Sequence, residues 1–168
     1  MLVAEIGFCN FAGDHMKAKK ILFIIAAFFS AISALLPYYI VSHEGMTFNG
    51  FPVIDETAIS LFHCYYGIGI LAAACMAVVF LLMGKKYLYA GAVVANAVFS
   101  IIGFFNMMNY RITDAGNIEI PGQFFSPFAA LEYNTITEIK NGAGYYLLIV
   151  SVIFLLVMML INFAKSEE

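Results

Sequence analysis

The chain has 168 residues, 63% of them hydrophobic and 11% charged, with a mean hydropathy of +0.92 and a formal net charge of −3. Soluble domains are about half apolar and a quarter charged, so this composition excludes a water-soluble globule. The length suits a single domain, and the few lysines, scattered beside apolar runs, exclude a nucleic-acid surface.

Residues 1–15 differ in character from the rest of the chain. From Met16 the chain reads MKAKKILFIIAAFFSAISALL, a basic flank and an apolar run that make a natural bacterial start. Residues 1–15 are therefore expected to be a cloning remnant or an over-extended start, and 16–168 a single four-span membrane domain. The flank and run also resemble a signal peptide. The run is long, however, and no small-x-small cleavage site follows it, so it reads as an uncleaved span.

Four runs without Asp, Glu, Lys or Arg reach the roughly 20 residues that a spanning helix needs: 21–41, 58–83, 88–108 and 143–163. Lys17, Lys19 and Lys20 precede the first, Lys85 and Lys86 sit between the second and third, and Lys165 follows the fourth. All fall on one side, so the positive-inside rule places both termini in the cytoplasm of a multi-pass plasma-membrane protein. The opposite loops carry Glu44, Asp55, Glu56, Asp114, Glu119, Glu132 and Glu138 against Arg111 and Lys140. That makes an acidic outer face.

Two glycine pairs open apolar runs, in YYGIGILA (65–72) and NGAGYYLL (141–148). Laying 26–33 over 96–103 matches Ala27 with Ala97, Phe29 with Phe99, Ser30 with Ser100 and Ile32 with Ile102. The expected fold is an all-α integral membrane protein, a four-transmembrane-helix bundle. It reads as a duplicated helical hairpin, with small strand and short-helix elements in the outer loops. Helices in lipid approach through small residues. Ala26, Ser30 and Ala34, then Gly69, Ala73 and Ala77, then Ala92, Asn96 and Ser100 mark the contact stripes; the fourth span is mostly large aliphatic and packs less tightly.

Cys64 and Cys75 are separated by about 16 Å of helix rise, too far for a disulfide, and with Cys9 they read as small apolar packers. Ser30, Asn96 and Ser100 are the candidate polar lining of the bundle or of a pore. His43, Glu44, Asp55, Glu56 and His63 cluster in or beside the first outer loop, but their spacing fits no metal motif. The second outer loop alternates in RIT and NIEI around an Asp-Ala-Gly-Asn turn, and TITEI offers another strand. Ser126-Pro127 reads as the start of a short helix through about Tyr133. Phe124, Phe125, Phe128, Leu131 and Tyr133 give this loop an aromatic load suited to the headgroup belt or to a partner.

No HExxH, P-loop, nucleophile elbow or zinc-type CxxC is present, nor is there an intramembrane carboxylate for a proton relay. The layout of four spans, inner termini, a short first loop and a longer second one resembles tetraspanins and, more distantly, claudins. The resemblance is one of topology. The tetraspanin Cys-Cys-Gly signature and the claudin Trp and Cys residues are absent, and no functional residue carries over. The sequence thus points to a non-enzymatic accessory or immunity-type protein that needs no cofactor. Its expected partners are membrane lipid and another membrane protein or a second copy of itself. A pore, and then a lipid-acting enzyme built on His63, Asp55 and Glu56, are the alternatives.

Overall fold

The structure, a computed structural model, describes residues 2–46, 52–112, 118–124 and 135–164, with side chains for 18–42, 56–112, 120–124 and 138–162. The order of elements is α1 (Leu2–Leu35), β1 (Pro37–Met46), β2 (Pro52–Ser60), a 3-10 turn (Leu61–His63), α2 (Tyr65–Leu82), α3 (Lys86–Met108), β3 (Arg111–Ile112), β4 (Ile118–Glu119), β5 (Thr135–Asn141) and α4 (Ala143–Ala164). Four of the described segments are helical, apolar and long enough to cross a membrane, namely Ala18–Leu35, Tyr65–Leu82, Lys86–Met108 and Ala143–Asn162. The chain is therefore mostly helical, with a small sheet.

Two ends of apolar runs are not helical. The run 21–41 leaves the helix at Leu35, because Pro37 lacks an N–H and disfavours helical backbone at the residue before it. Tyr38, Tyr39, Ile40 and Val41, all good strand formers, then join β1. Likewise 58–60 end β2 and 61–63 form the 3-10 turn, so the second helix starts at Tyr65. Helix thus covers less of the first two apolar runs than expected, whereas α3 and α4 match the third and fourth runs within two residues.

The first loop is a hairpin, β1 against β2, and β5 pairs with the other edge of β1, giving the antiparallel order β2–β1–β5. The strand leaving α1 is thereby tied to the strand entering α4. Side chains alternate across this sheet. Tyr39, Val41, Ile59 and Ile139 turn toward the helices, whereas Glu56, Ala58, Glu138 and Lys140 are exposed. The alternation expected around Asp-Ala-Gly-Asn appears as the β3–β4 pair. The short helix expected from Ser126 lies outside the described residues.

The helices form a ring in which α1 touches α2 and α4, and α3 touches α2 and α4. One apolar cluster, around Phe23, Ala77, Tyr89, Val93 and Leu155, fills the half that holds the Lys85–Lys86 turn. A second, around Tyr38, Tyr39, Ile59, Leu61, Tyr66, Met107 and Leu148, joins the bundle to the sheet. The small-residue stripes face inward: Ala26, Ser30, Ala34, Ala73, Ala77, Ala92, Asn96 and Ser100 are all buried. Large side chains such as Phe28, Val79, Phe105, Val150 and Leu160 form an apolar perimeter.

Candidate functional site

Among the described residues Asn96 of α3 is the most polar one that a helix buries. An amide has donors and an acceptor to satisfy, and the bundle supplies both kinds of partner. Ser30 of α1 donates to Asn96 Oδ1 at 3.0 Å, and Asn96 Nδ2 donates to the Ile70 carbonyl of α2 at 2.9 Å. Ser30 and Asn96 thus meet across the diagonal of the ring, and three helices converge on one amide. Ser100 lies one turn further along and donates to the Asn96 carbonyl at 2.8 Å. Ser33 does the same to the Ser30 carbonyl at 2.7 Å. These hydroxyls satisfy themselves on their own helices. The arrangement holds helices together and leaves Ser30, Asn96 and Ser100 with almost no solvent-facing surface.

The second concentration of chemistry is at the sheet end. Pro121-Gly122 makes a turn in which Gly122 has φ +79, a value that favours glycine. The turn presents its backbone to the start of α2: Tyr65 N–H donates to the Gly122 carbonyl at 3.2 Å, and Phe124 N–H to the His63 carbonyl at 3.1 Å. Gln123 pairs with Cys64 as an isolated bridge and takes the Ile120 N–H on its side-chain oxygen at 3.2 Å. The long second loop is thus clamped to the 3-10 turn. The clamp sets the Phe124 ring 5.2 Å from that of Tyr65. Phe62, Tyr65 and Phe124 stay 43%, 67% and 46% exposed.

His63 closes the 3-10 turn, its Nδ1 accepting the Ser60 N–H at 3.3 Å, with the Ser60 hydroxyl also at 3.3 Å. The cap is structural. In the sheet, Ser42 lies between Glu56 and Glu138, and Lys140 pairs with Glu138 at 2.9 Å on the exposed face. The Glu138 carboxylate, which accepts a hydrogen bond from the ammonium, raises the pKa of Lys140. His43 is opposite Asp55, and Glu44 opposite Ile54, in the β1–β2 register; their side chains are outside the described set. Among the described residues no group of His, Cys, Asp or Glu is arranged to hold a metal ion. Phe125, Phe128, Leu131 and Tyr133 lie outside the described residues.

Sequence reasoning missed the tyrosine cluster beneath the sheet. Tyr39 packs edge-on against Tyr38 at 5.0 Å and Tyr110 at 5.8 Å, and Tyr38 against Tyr145 at 5.2 Å. Burial pushes the Tyr38 and Tyr39 phenols and the Cys64 thiol above their ordinary pKa values, so all three are uncharged at neutral pH. The sequence signal was the doublet Tyr38-Tyr39 beside Pro37, hidden inside an apolar run. The chain matches no protein-family model, and no curated protein matches it.

Proposed function

We propose that this chain is a multi-pass plasma-membrane protein that acts as an accessory or immunity-type partner of another membrane protein, through its sheet end. In this reading the four helices cross the bilayer, the lysine turn and both termini are cytoplasmic, and the sheet is outside. The apolar perimeter supports insertion, because a surface so broad is incompatible with water. The ring order supports a duplicated hairpin: rotating α1 onto α3 and α2 onto α4 maps each helix contact onto another. The observation that carries the partner reading is the trio Phe62, Tyr65 and Phe124. These rings are exposed, yet they sit on backbone fixed by the two hydrogen bonds of the Cys64–Gln123 bridge, and rigid aromatic groups are the usual anchors of interfaces. The burial of Asn96 and Ser100 favours this reading over a path through a single bundle.

Two experiments test it. Glu56→Cys and Lys85→Cys, made in a background with the native cysteines replaced by alanine, are treated in intact cells with a membrane-impermeant maleimide. Labelling of the first position and protection of the second is expected; the reverse overturns the orientation. Native mass determination of the full chain in mild detergent is expected to show a second protein at fixed stoichiometry. Tyr65→Ser with Phe124→Ser is expected to lose that partner at least tenfold while eluting normally. A homo-oligomer that conducts ions would replace this reading with the pore.

A further inference from the structure

Across the diagonal of the ring, α1 and α3 keep one register. Phe23 packs edge-on against Tyr89 with ring centroids 4.9 Å apart, and Ser30 bonds Asn96 at 3.0 Å. Both pairs are separated by 66 residues, so the two helices run parallel and in step over two turns. One turn before Phe23 and Tyr89, the same register sets Lys19 level with Lys85 and Lys20 level with Lys86. The second pair is fixed on its backbone. Gly84 turns the chain with φ +70, the Lys85 N–H donates to the Phe80 carbonyl at 3.0 Å, and the Lys85 carbonyl accepts the Tyr89 N–H at 3.0 Å.

No described carboxylate offsets these four charges. The first turn of α3 has no acidic residue. Glu56 and Glu138, the acids whose side chains are described, belong to the sheet at the other end, where Glu138 takes Lys140. The neutral polar groups nearby, the Asn162 amide and the Tyr89 hydroxyl, pair with each other at 3.4 Å. Lys17 and Lys165, with Glu5, Asp14, Glu167 and Glu168, lie outside the described side chains. Ile21, Leu22 and Leu88 beside the lysines are exposed. The ammonium groups therefore stand where the apolar perimeter ends, which is the level of the lipid phosphates once the helices cross a bilayer.

We propose that Lys19, Lys20, Lys85 and Lys86 form one cationic site for the phosphate of an anionic phospholipid, whose acyl chains lie along the adjoining perimeter. The whole chain carries −3, so its overall charge repels such a lipid and the preference has to come from this local group. A lysine near an anionic headgroup contributes roughly fivefold, and four of them on two helices in step act on one phosphate together. The inference rests on the helices crossing a bilayer; it does not depend on the orientation or the partner proposed above.

The test is native mass determination of the full chain in mild detergent, with phosphatidylglycerol and phosphatidylcholine of the same acyl chains added in equal amounts. Retention of phosphatidylglycerol is expected to exceed that of phosphatidylcholine by about tenfold, and to fall as salt rises. Lys19→Gln with Lys20→Gln, and Lys85→Gln with Lys86→Gln, are each expected to cut the preference at least threefold, and the four changes together to remove it. The corresponding arginine variants keep it, as does Lys140→Gln at the sheet end. Equal retention of both lipids, or a preference that survives the fourfold change, would overturn the site. So would a loss confined to one pair, since the register makes the site a joint one. Displacement of the lipid by millimolar inorganic phosphate, but not by chloride of equal ionic strength, would reassign the lysines to a soluble anion. A chain that retains neither lipid would count against the spanning reading itself, which separates that failure from this one.

Discussion

Gly67→Ala and Gly142→Ala are each expected to abolish recovery of folded protein, whereas Gly91→Ala is expected to be tolerated or stabilising. A Cβ on Gly67 would overlap the carbonyl of Leu61, and one on Gly142 the carbonyl of Pro37. On Gly144 it would meet the carbonyl oxygens of Leu36, Pro37 and Ser33 at 2.6, 2.9 and 3.0 Å. All of these are backbone atoms, so no rotamer change relieves the overlap, and the helix start itself must shift. Overpacking of this kind costs about 3 kcal/mol, a large share of a typical stability. Gly91, on α3, has nothing within 4 Å of an added Cβ. There alanine gains about 0.5–1 kcal/mol of helix propensity. Size-exclusion profiles and melting of the detergent-solubilised variants separate the cases. A monodisperse Gly67→Ala protein with the parent Tm would show that the start of α2 does not ride on the 3-10 turn.

The two glycine pairs are therefore packing devices. One seats α2 on the turn that precedes it, and the other seats α4 on the junction between α1 and β1. Their partners differ, although their roles correspond. The second glycine of each pair also faces a neighbouring helix: Gly69 lies under the Phe99 ring of α3, and Gly144 against the end of α1. Sequence alone showed that the pairs mark where helices begin. It did not show what they touch: Gly69, Gly142 and Gly144 meet segments far away in the chain, and Gly67 meets a 3-10 turn that reads as part of the same apolar run.

The same division runs through the rest of the molecule. The helices α3 and α4 were legible because long apolar runs without charge or proline have few alternatives to helix. The ends of α1 and α2 were misread because hydropathy does not separate a buried strand from a helix. Pro37 and the strand formers after it carried the missing signal. The paired strands of the first hairpin were hidden in the same way, with 37–41 and 58–60 counted as membrane. In the second loop the period-2 alternation was visible, and β3, β4 and β5 form there. The pairing of β5 with β1, and the bulge in β1 that turns Tyr38 inward, depend on long-range register and leave no local trace. The inward stripes of α1, α2 and α3 were readable from small residues at four-residue spacing. That Ser30 is the partner of Asn96 was not, since it requires the order of helices in the ring.

Asn96→Ala and Ser30→Ala are the changes that test whether this amide organises the bundle. Removing Asn96 takes away the acceptor of the Ser30 hydroxyl and the donor to the Ile70 carbonyl. The loss is softened, because Ser30 can turn to a carbonyl of its own helix, as Ser33 and Ser100 already do. Ser30→Ala has no such relief, since it leaves Asn96 Oδ1 buried without its donor. Each single variant is therefore expected to lose about 1–2 kcal/mol, with Ser30→Ala no milder than Asn96→Ala. Interhelical hydrogen bonds in membranes average about 0.6 kcal/mol and reach about 1.7. The double-mutant cycle is expected to give a coupling in the upper part of that range, because both groups are buried and the bond spans the diagonal of the ring. A coupling near zero would sink the view of Asn96 as the tie between α1 and α3. Asn96→Leu separates this role from that of a pore lining: a packing amide changes the melting curve and leaves ion flux where it was, whereas an amide facing a conducting path changes the flux first.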